Sequence, residues 1–166
     1  MKSLLQPSVL DKNNTCCITG HRILLPKKIV KIEKCLNKEI DNLIHKGVSV
    51  FISSGAIGFS HIASSIIITK RQQGANIRLI FALPCRNQGD NWSDNHRLIF
   101  RSLLNEANEI RYISEVYTPE CMTKRSHYML DNSAYCICYM RCKARKTSRL
   151  LGYAQQQSVQ IINVAK

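Results

Sequence analysis

Thr15-Cys16-Cys17-Ile18-Thr19-Gly20-His21-Arg22 and Phe51-Ile52-Ser53-Ser54-Gly55-Ala56-Ile57-Gly58-Phe59 decide the fold class of this chain. Each is a short apolar run that stops at glycine and leads into helical periodicity. That arrangement turns the N–H groups of a helix N-terminus toward an anion, so both stretches point to a phosphate-bearing ligand at the end of a strand. They leave open whether the ligand is cut or only held.

Outward from these two ends, β-type runs alternate with amphipathic helices, the pattern of an α/β fold with a mainly parallel sheet. Strands are expected at Thr15–Thr19, Val48–Ser53, Ile77–Leu83, Glu109–Ile113, Tyr135–Met140 and Val159–Val164. Ile29, Ile32, Leu36, Ile40 and Leu43 recur at steps of three and four, with Pro26 before them and Gly47 after, as helix punctuation prefers. A second helix from Gly58 carries Phe59, Ile62, Ala63, Ile66 and Ile67 on one face. A third, Asp94–Ala107, buries Leu98, Leu103 and Leu104. Thr118 and Pro119 read as the cap and first residue of a fourth, with Met122, Met129 and Leu130 as core; Leu150, Leu151 and Ala154 mark a fifth. In such a sheet, ligands bind at the carboxyl edge, where both glycine turns, the Pro84-Cys85-Arg86 turn and the loop after Met140 emerge.

The 166 residues fit a single domain behind a polar lead-in, residues 1–14. No apolar run approaches the roughly 20 residues that cross a bilayer, and Met1–Leu10 lacks a signal-peptide core, so a soluble cytoplasmic protein with no membrane partner is expected. Eight cysteines lie mainly in strand-like runs without paired C-x-x-C spacing and read as reduced, small hydrophobes. Cys136, Cys138 and Cys142 come nearest to a metal pattern, but no second ligand pair follows, and no metal is expected.

Charge is more informative. Lys plus Arg is 24 against 11 for Asp plus Glu, a formal net charge of +13, which suits an anionic partner: a nucleotide or nucleic acid. The cluster Arg141, Lys143, Arg145, Lys146 and Arg149 is either a solvated basic loop or an anion contact. Arg22, beside the first glycine turn, is either an exposed loop residue or a guanidinium placed for phosphate; His21 reads as structural or functional in the same way. Trp92 either stacks on a base or packs against the third helix. The chain holds no nucleophile-elbow serine, no H-E-x-x-H and no G-x-x-x-x-G-K-[ST] loop. Acid–base chemistry would fall to scattered Glu115, Glu120 or Asp131, and no catalytic residue is assigned.

Taken in order, T-C-C-I-T-G-H-R, F-I-S-S-G-A-I-G-F, L-P-C-R-N-Q-G-D-N-W and Y-T-P-E-C-M-T-K-R-S-H-Y-M-L-D-N-S closely resemble the SLOG proteins of the DUF1273, YpsA-like type, from about Thr15 to Val164. The resemblance implies a Rossmann-like fold related to DNA-processing protein A and the cytokinin-activating phosphoribohydrolases. It also implies a nucleotide-derived ligand of the NAD, ADP-ribose or cyclic nucleotide kind, with no further cofactor. Relatives occur in bacteria and phages, some near conflict systems, so sensing or sequestering such a signal is the implied role. Homodimerisation is expected by the same analogy. The motif match carries Gly20, His21, Arg22, Gly55, Gly58, Arg125 and Asp131 onto the family pocket, and Ser54, Ser60, Arg145, Lys146 and Thr147 are expected to bind the ligand with them. Ser60 stands where the family has an acidic residue, Arg125-Ser126 replaces its R-N pair, and Ala134 replaces another acid. Arg145-Lys146-Thr147 replaces the G-G-T turn, whose following glutamate has no counterpart here. A nucleotide N-glycosidase or phosphoribohydrolase and a DNA-binding protein remain the rival expectations.

Overall fold

The computed structural model describes residues 7–141 and 145–165. All six expected strands form: β1 (Thr15–Gly20), β2 (Val50–Ser53), β3 (Arg78–Leu83), β4 (Glu109–Tyr112), β5 (Tyr135–Tyr139) and β6 (Gln160–Asn163). Between them run α1 (Ile29–His45), α2 (Phe59–Gln72), α3 (Asp94–Glu106), α4 (Cys121–Asp131) and α5 (Arg145–Gln156). The strands pair in parallel in the order β4-β3-β2-β1-β5-β6, a Rossmann-like α/β sheet. The chain builds outward from β1 through β2, β3 and β4, then returns to β1's other side with β5. The order therefore reverses between β1 and β5, and their carboxyl ends, Gly20 opposite Tyr139, flank the crevice where such folds bind ligands.

Both sheet faces are covered, which is why the strands read as continuous apolar runs rather than alternating ones. On one face Ile32, Leu36, Ile40 and Leu43 of α1, Phe59, Ala63 and Ile67 of α2, and Phe100 and Leu103 of α3 close over Cys16, Ile18, Phe51 and Phe81. On the other, Met129 and Leu130 of α4 and Ala154 of α5 pack on Cys17, Ile52, Ile80, Cys136 and Cys138. Fully buried Phe51, Phe59 and Phe81 each contribute about 2–3 kcal/mol by leaving water. The described cysteines are all free, and six of the seven are buried as small apolar side chains. Among the described residues no group of three His, Cys, Asp or Glu side chains could hold a metal; Cys142 lies outside them.

Two expectations about the helices are corrected. Leu98 is 65% exposed, because the buried face of α3 runs through Phe100 and Leu103, leaving Leu98 on the outer side. The fourth helix starts at Cys121, since Pro119 and Glu120 form a turn in which the Thr118 carbonyl, not its hydroxyl, accepts from Cys121 N at 3.2 Å. Arg145–Arg149, read as either a solvated basic loop or an anion contact, forms the opening turns of α5, and Lys143 of the same cluster lies outside the described residues. No described helix is long and apolar enough to cross a membrane.

Candidate functional site

The two glycine turns meet each other at the carboxyl edge. Gly58 has φ +85°, and a Cβ there would lie 2.3 Å from the Arg22 carbonyl oxygen and 2.8 Å from that of His21. Phe59 N, the first amide of α2, donates to the His21 carbonyl at 3.2 Å. Gly20 is equally constrained, for a Cβ would stand 2.5 Å from the Phe59 ring. Both glycines therefore have a packing reason independent of any ligand: only bare backbone lets the end of β1 and the start of α2 interlock.

The intervening amides are also engaged. Gly55 N and Ala56 N each donate at 3.3 Å, to Ser53 Oγ and Ser54 Oγ respectively. Ser54 Oγ and Ser60 Oγ lie 2.9 Å apart, while Ser64 Oγ is 2.8 Å from Ser53 Oγ and donates to the Ser60 carbonyl at 2.7 Å. This buried hydroxyl network pins α2 to the end of β2, and Ser54 and Ser60 spend their side chains within it. The buried His61 donates through Nε2 to the Gly55 carbonyl at 2.9 Å, and desolvation lowers its pKa, so it is neutral at pH 7. Its ring stacks on Phe100 with centroids 6.0 Å apart, and Trp92 packs at 5.1 Å from Phe100; Trp92 thus serves the α3 side of the core.

His21 occupies the reversal point itself. Its backbone N donates to the Tyr139 carbonyl at 3.2 Å, and its Nε2 accepts from Arg141 N at 3.0 Å. It therefore ties the exits of β1 and β5 together. Arg22 follows it, exposed. Arg145 and Lys146 are exposed and Thr147 half-buried at the start of α5, on the same edge of the sheet because α5 follows β5. Arg86 is committed elsewhere, with Nε donating to Glu115 at 2.5 Å and its guanidinium over the Tyr112 ring.

Arg125, only 8% exposed, has the unusual environment. Its Nη1 reaches the Ser54 carbonyl at 3.5 Å, its Nε has no hydrogen-bond partner, and no carboxylate among the described residues pairs with it. Burial, followed by the nearby Arg22 cation, lowers its pKa to about 10. It is still charged at pH 7. A buried cation without a counter-charge costs free energy, and two guanidinium groups that repel each other add to the cost. Gln88 points to the same place: its Nε2 lies 3.4 Å from the Ser54 carbonyl, and its buried Oε1 has no partner. Thr118 Oγ1 is a further buried, unpartnered atom, just before α4.

Of the residues read from sequence, Gly20, His21, Arg22, Ser54, Gly55, Gly58, Ser60 and Arg125 converge around the ends of β1 and β2, and Arg145, Lys146 and Thr147 open α5 on that edge. Asp131 does not join them. It ends α4, four residues before β5 begins, at the amino edge of the sheet, where Tyr153 Oη donates to Oδ1 at 2.6 Å. Gln88 was not picked out as a site residue, although it lies inside the L-P-C-R-N-Q motif; a half-buried glutamine in a turn gives no local signal of which side its amide faces.

Comparison with known proteins agrees with this geometry at the level of family and fold. The YspA SLOG family model matches residues 17–162. The SPbeta prophage-derived protein YoqJ of Bacillus subtilis is 26% identical over 141 residues, covering 77% of this chain and 82% of its own. A UPF0398 protein of Halalkalibacterium halodurans is 25% identical over 107 residues, 63% of this chain, which spans 57% of that relative's length. DNA processing protein A from Helicobacter pylori, whose solved structure concerns its single-stranded DNA binding mode, superposes with a TM-score of 0.63 at 18% identity, over 89% of this chain and 63% of its own. The match across nearly the whole sheet, from the second residue of β1's cysteine pair to the middle of β6, places the chain in the YspA SLOG family.

Proposed function

We propose that the protein binds a phosphate-bearing, nucleotide-derived small molecule at the carboxyl edge between β1, β2 and α4, as a sensor or sequestering protein. The observation that carries this reading is Arg125: buried, charged and without an acid among the described residues, next to the second cation Arg22. An anion bound there would supply the missing counter-charge and accept from the idle Nε. The engaged amides of Gly55, Ala56 and Phe59 favour recognition through these side chains rather than through a bare backbone cradle. Holding is favoured over cutting because two of the three carboxylates nominated for acid–base work are placed for other tasks: Glu115 pairs with Arg86 and Asp131 sits at the far edge with Tyr153, which leaves Glu120, exposed at the start of α4.

Thermal-shift measurements with NAD, ADP-ribose, AMP and cyclic dinucleotides test the proposal, with chromatography of each mixture for products. A ligand at about 100 times its dissociation constant stabilises the fold by about 2.7 kcal/mol. The expected result is a shift with at least one of these and recovery of the ligand intact. No shift with any of them refutes the reading.

A second reading, single-stranded DNA binding, rests on a different feature. Lys27, Lys31, Lys34 and Lys38 are spaced 4-3-4 along the exposed crest of α1 and its lead-in, and none forms an ion pair among the described residues. The fold neighbour from Helicobacter pylori binds single-stranded DNA. This reading requires affinity that falls steeply with salt, as counterions are released, and falls further when the four lysines are replaced by glutamine.

A further inference from the structure

The two idle atoms beside the Ser54 carbonyl ask for different things. That carbonyl lies 3.4 Å from Gln88 Nε2 and 3.5 Å from Arg125 Nη1, so both side chains converge on one oxygen. An oxygen facing an oxygen would be repulsive, so the carbonyl fixes which end of the Gln88 amide turns toward it. The NH2 group faces Ser54, and Oε1 faces away, buried and accepting from nothing. Arg125 Nε, likewise buried, is a donor with nothing to donate to. Beyond the anion acceptor that Arg125 needs, the site therefore needs a donor for Gln88. A fully ionised phosphate cannot provide it, because it carries only acceptors. A sugar hydroxyl close to a phosphate provides both within one small group.

We infer that Gln88 reads a ribose hydroxyl, so that the site selects phosphorylated ribose over deoxyribose and takes a ribonucleotide-type ligand rather than a DNA strand. This rests on the proposed anion site at Arg125 and adds to it a residue and a sugar specificity. A DNA strand has no 2′-hydroxyl and its 3′-oxygens are esterified, so its sugars would leave Gln88 Oε1 without a donor. Unpaired buried polar atoms are what make a site built for a hydroxyl reject the analogue that lacks one.

The test uses the full chain and compares AMP with its 2′-deoxy and 3′-deoxy analogues by calorimetry, in the wild type and in Gln88→Met, which keeps the side-chain length and removes the acceptor. In the wild type at least one deoxy analogue should bind about tenfold or more weakly than AMP. In Gln88→Met, AMP should weaken to the level of that analogue, whose own affinity stays as it was. Thermal melts of the unliganded variant and wild type establish that both are folded. Equal affinity for AMP and both deoxy analogues, or discrimination that survives in Gln88→Met, overturns the inference while leaving the anion site intact. Inosine monophosphate is the remaining arm. If it binds more weakly than AMP and Gln88→Met abolishes that difference, with no penalty for either deoxy analogue, the donor is the base amine and the inference is wrong. If none of NAD, ADP-ribose, AMP and the cyclic dinucleotides binds, the anion site and the inference fall together; if another of them binds and AMP does not, the inference falls alone.

Discussion

Arg111, packed against α4, and Arg125, within α4, both lie largely out of solvent, and the protein treats them in opposite ways. Arg111 donates through Nε to Glu109 at 2.6 Å, through Nη1 to the Tyr128 hydroxyl of α4, and through Nη2 to the Ser8 carbonyl. Every edge of its guanidinium has a partner, and the pairing ties the N-terminal segment to β4. Arg125, further along the same chain and more deeply buried, has one long contact to a carbonyl and an idle Nε. A guanidinium can evidently be satisfied within this fold, so the bareness of Arg125 is not a general shortage of acceptors. The difference separates an arginine that holds the structure together from one that, on the proposed function, is kept for an anionic ligand.

The comparison can be broken from several directions. The largest effect is expected where the unpaired site takes its shape from backbone contact: Gly58→Ala introduces a Cβ at φ +85° only 2.3 Å from the Arg22 carbonyl oxygen. Strain and clash together should cost about 3 kcal/mol in urea unfolding. Wild-type stability in this variant would mean that β1 and α2 do not interlock through their glycine turns. Next in size, Arg111→Met leaves the half-buried Glu109 with only Arg78 at 3.4 Å and Ser8 at 2.7 Å, and should lower stability by about 2 kcal/mol. Adding Glu109→Gln should restore part of that loss, because the uncompensated charge is then gone.

Most of the fold was legible in the chain because period and punctuation agreed. The Ile29 to Leu43 stripe placed α1, and every strand was found within two residues of its observed ends. Leu98 was misassigned because α3 has apolar residues on both its inner and outer sides, and local periodicity cannot say which faces the sheet. Thr118-Pro119 has the right residues for a helix start, yet the chain spends one more turn before Cys121 donates to the Thr118 carbonyl. The site was legible only in part. Its glycines could be located from sequence, but that Gly20 and Gly58 serve each other's packing depends on a contact between segments far apart in the chain. Arg125 can be located from sequence, but its lack of a carboxylate among the described residues is a fact of three-dimensional placement that no spacing reports. Asp131 was grouped with it by the same motif, although one helix separates the two edges of the sheet.

Arg125→Met, followed by thermal melting with and without ADP-ribose, tests the central claim most directly. If Arg125 is an uncompensated cation kept for an anionic ligand, the unliganded variant should be more stable than the wild type by about 1 kcal/mol. For a chain of this size that is about 2–4 °C in Tm. Any stabilisation that ADP-ribose gives the wild type should vanish in the variant. A variant that melts lower than wild type and still responds fully to ADP-ribose would show that Arg125 serves the fold, as Arg111 does, and would contradict the account.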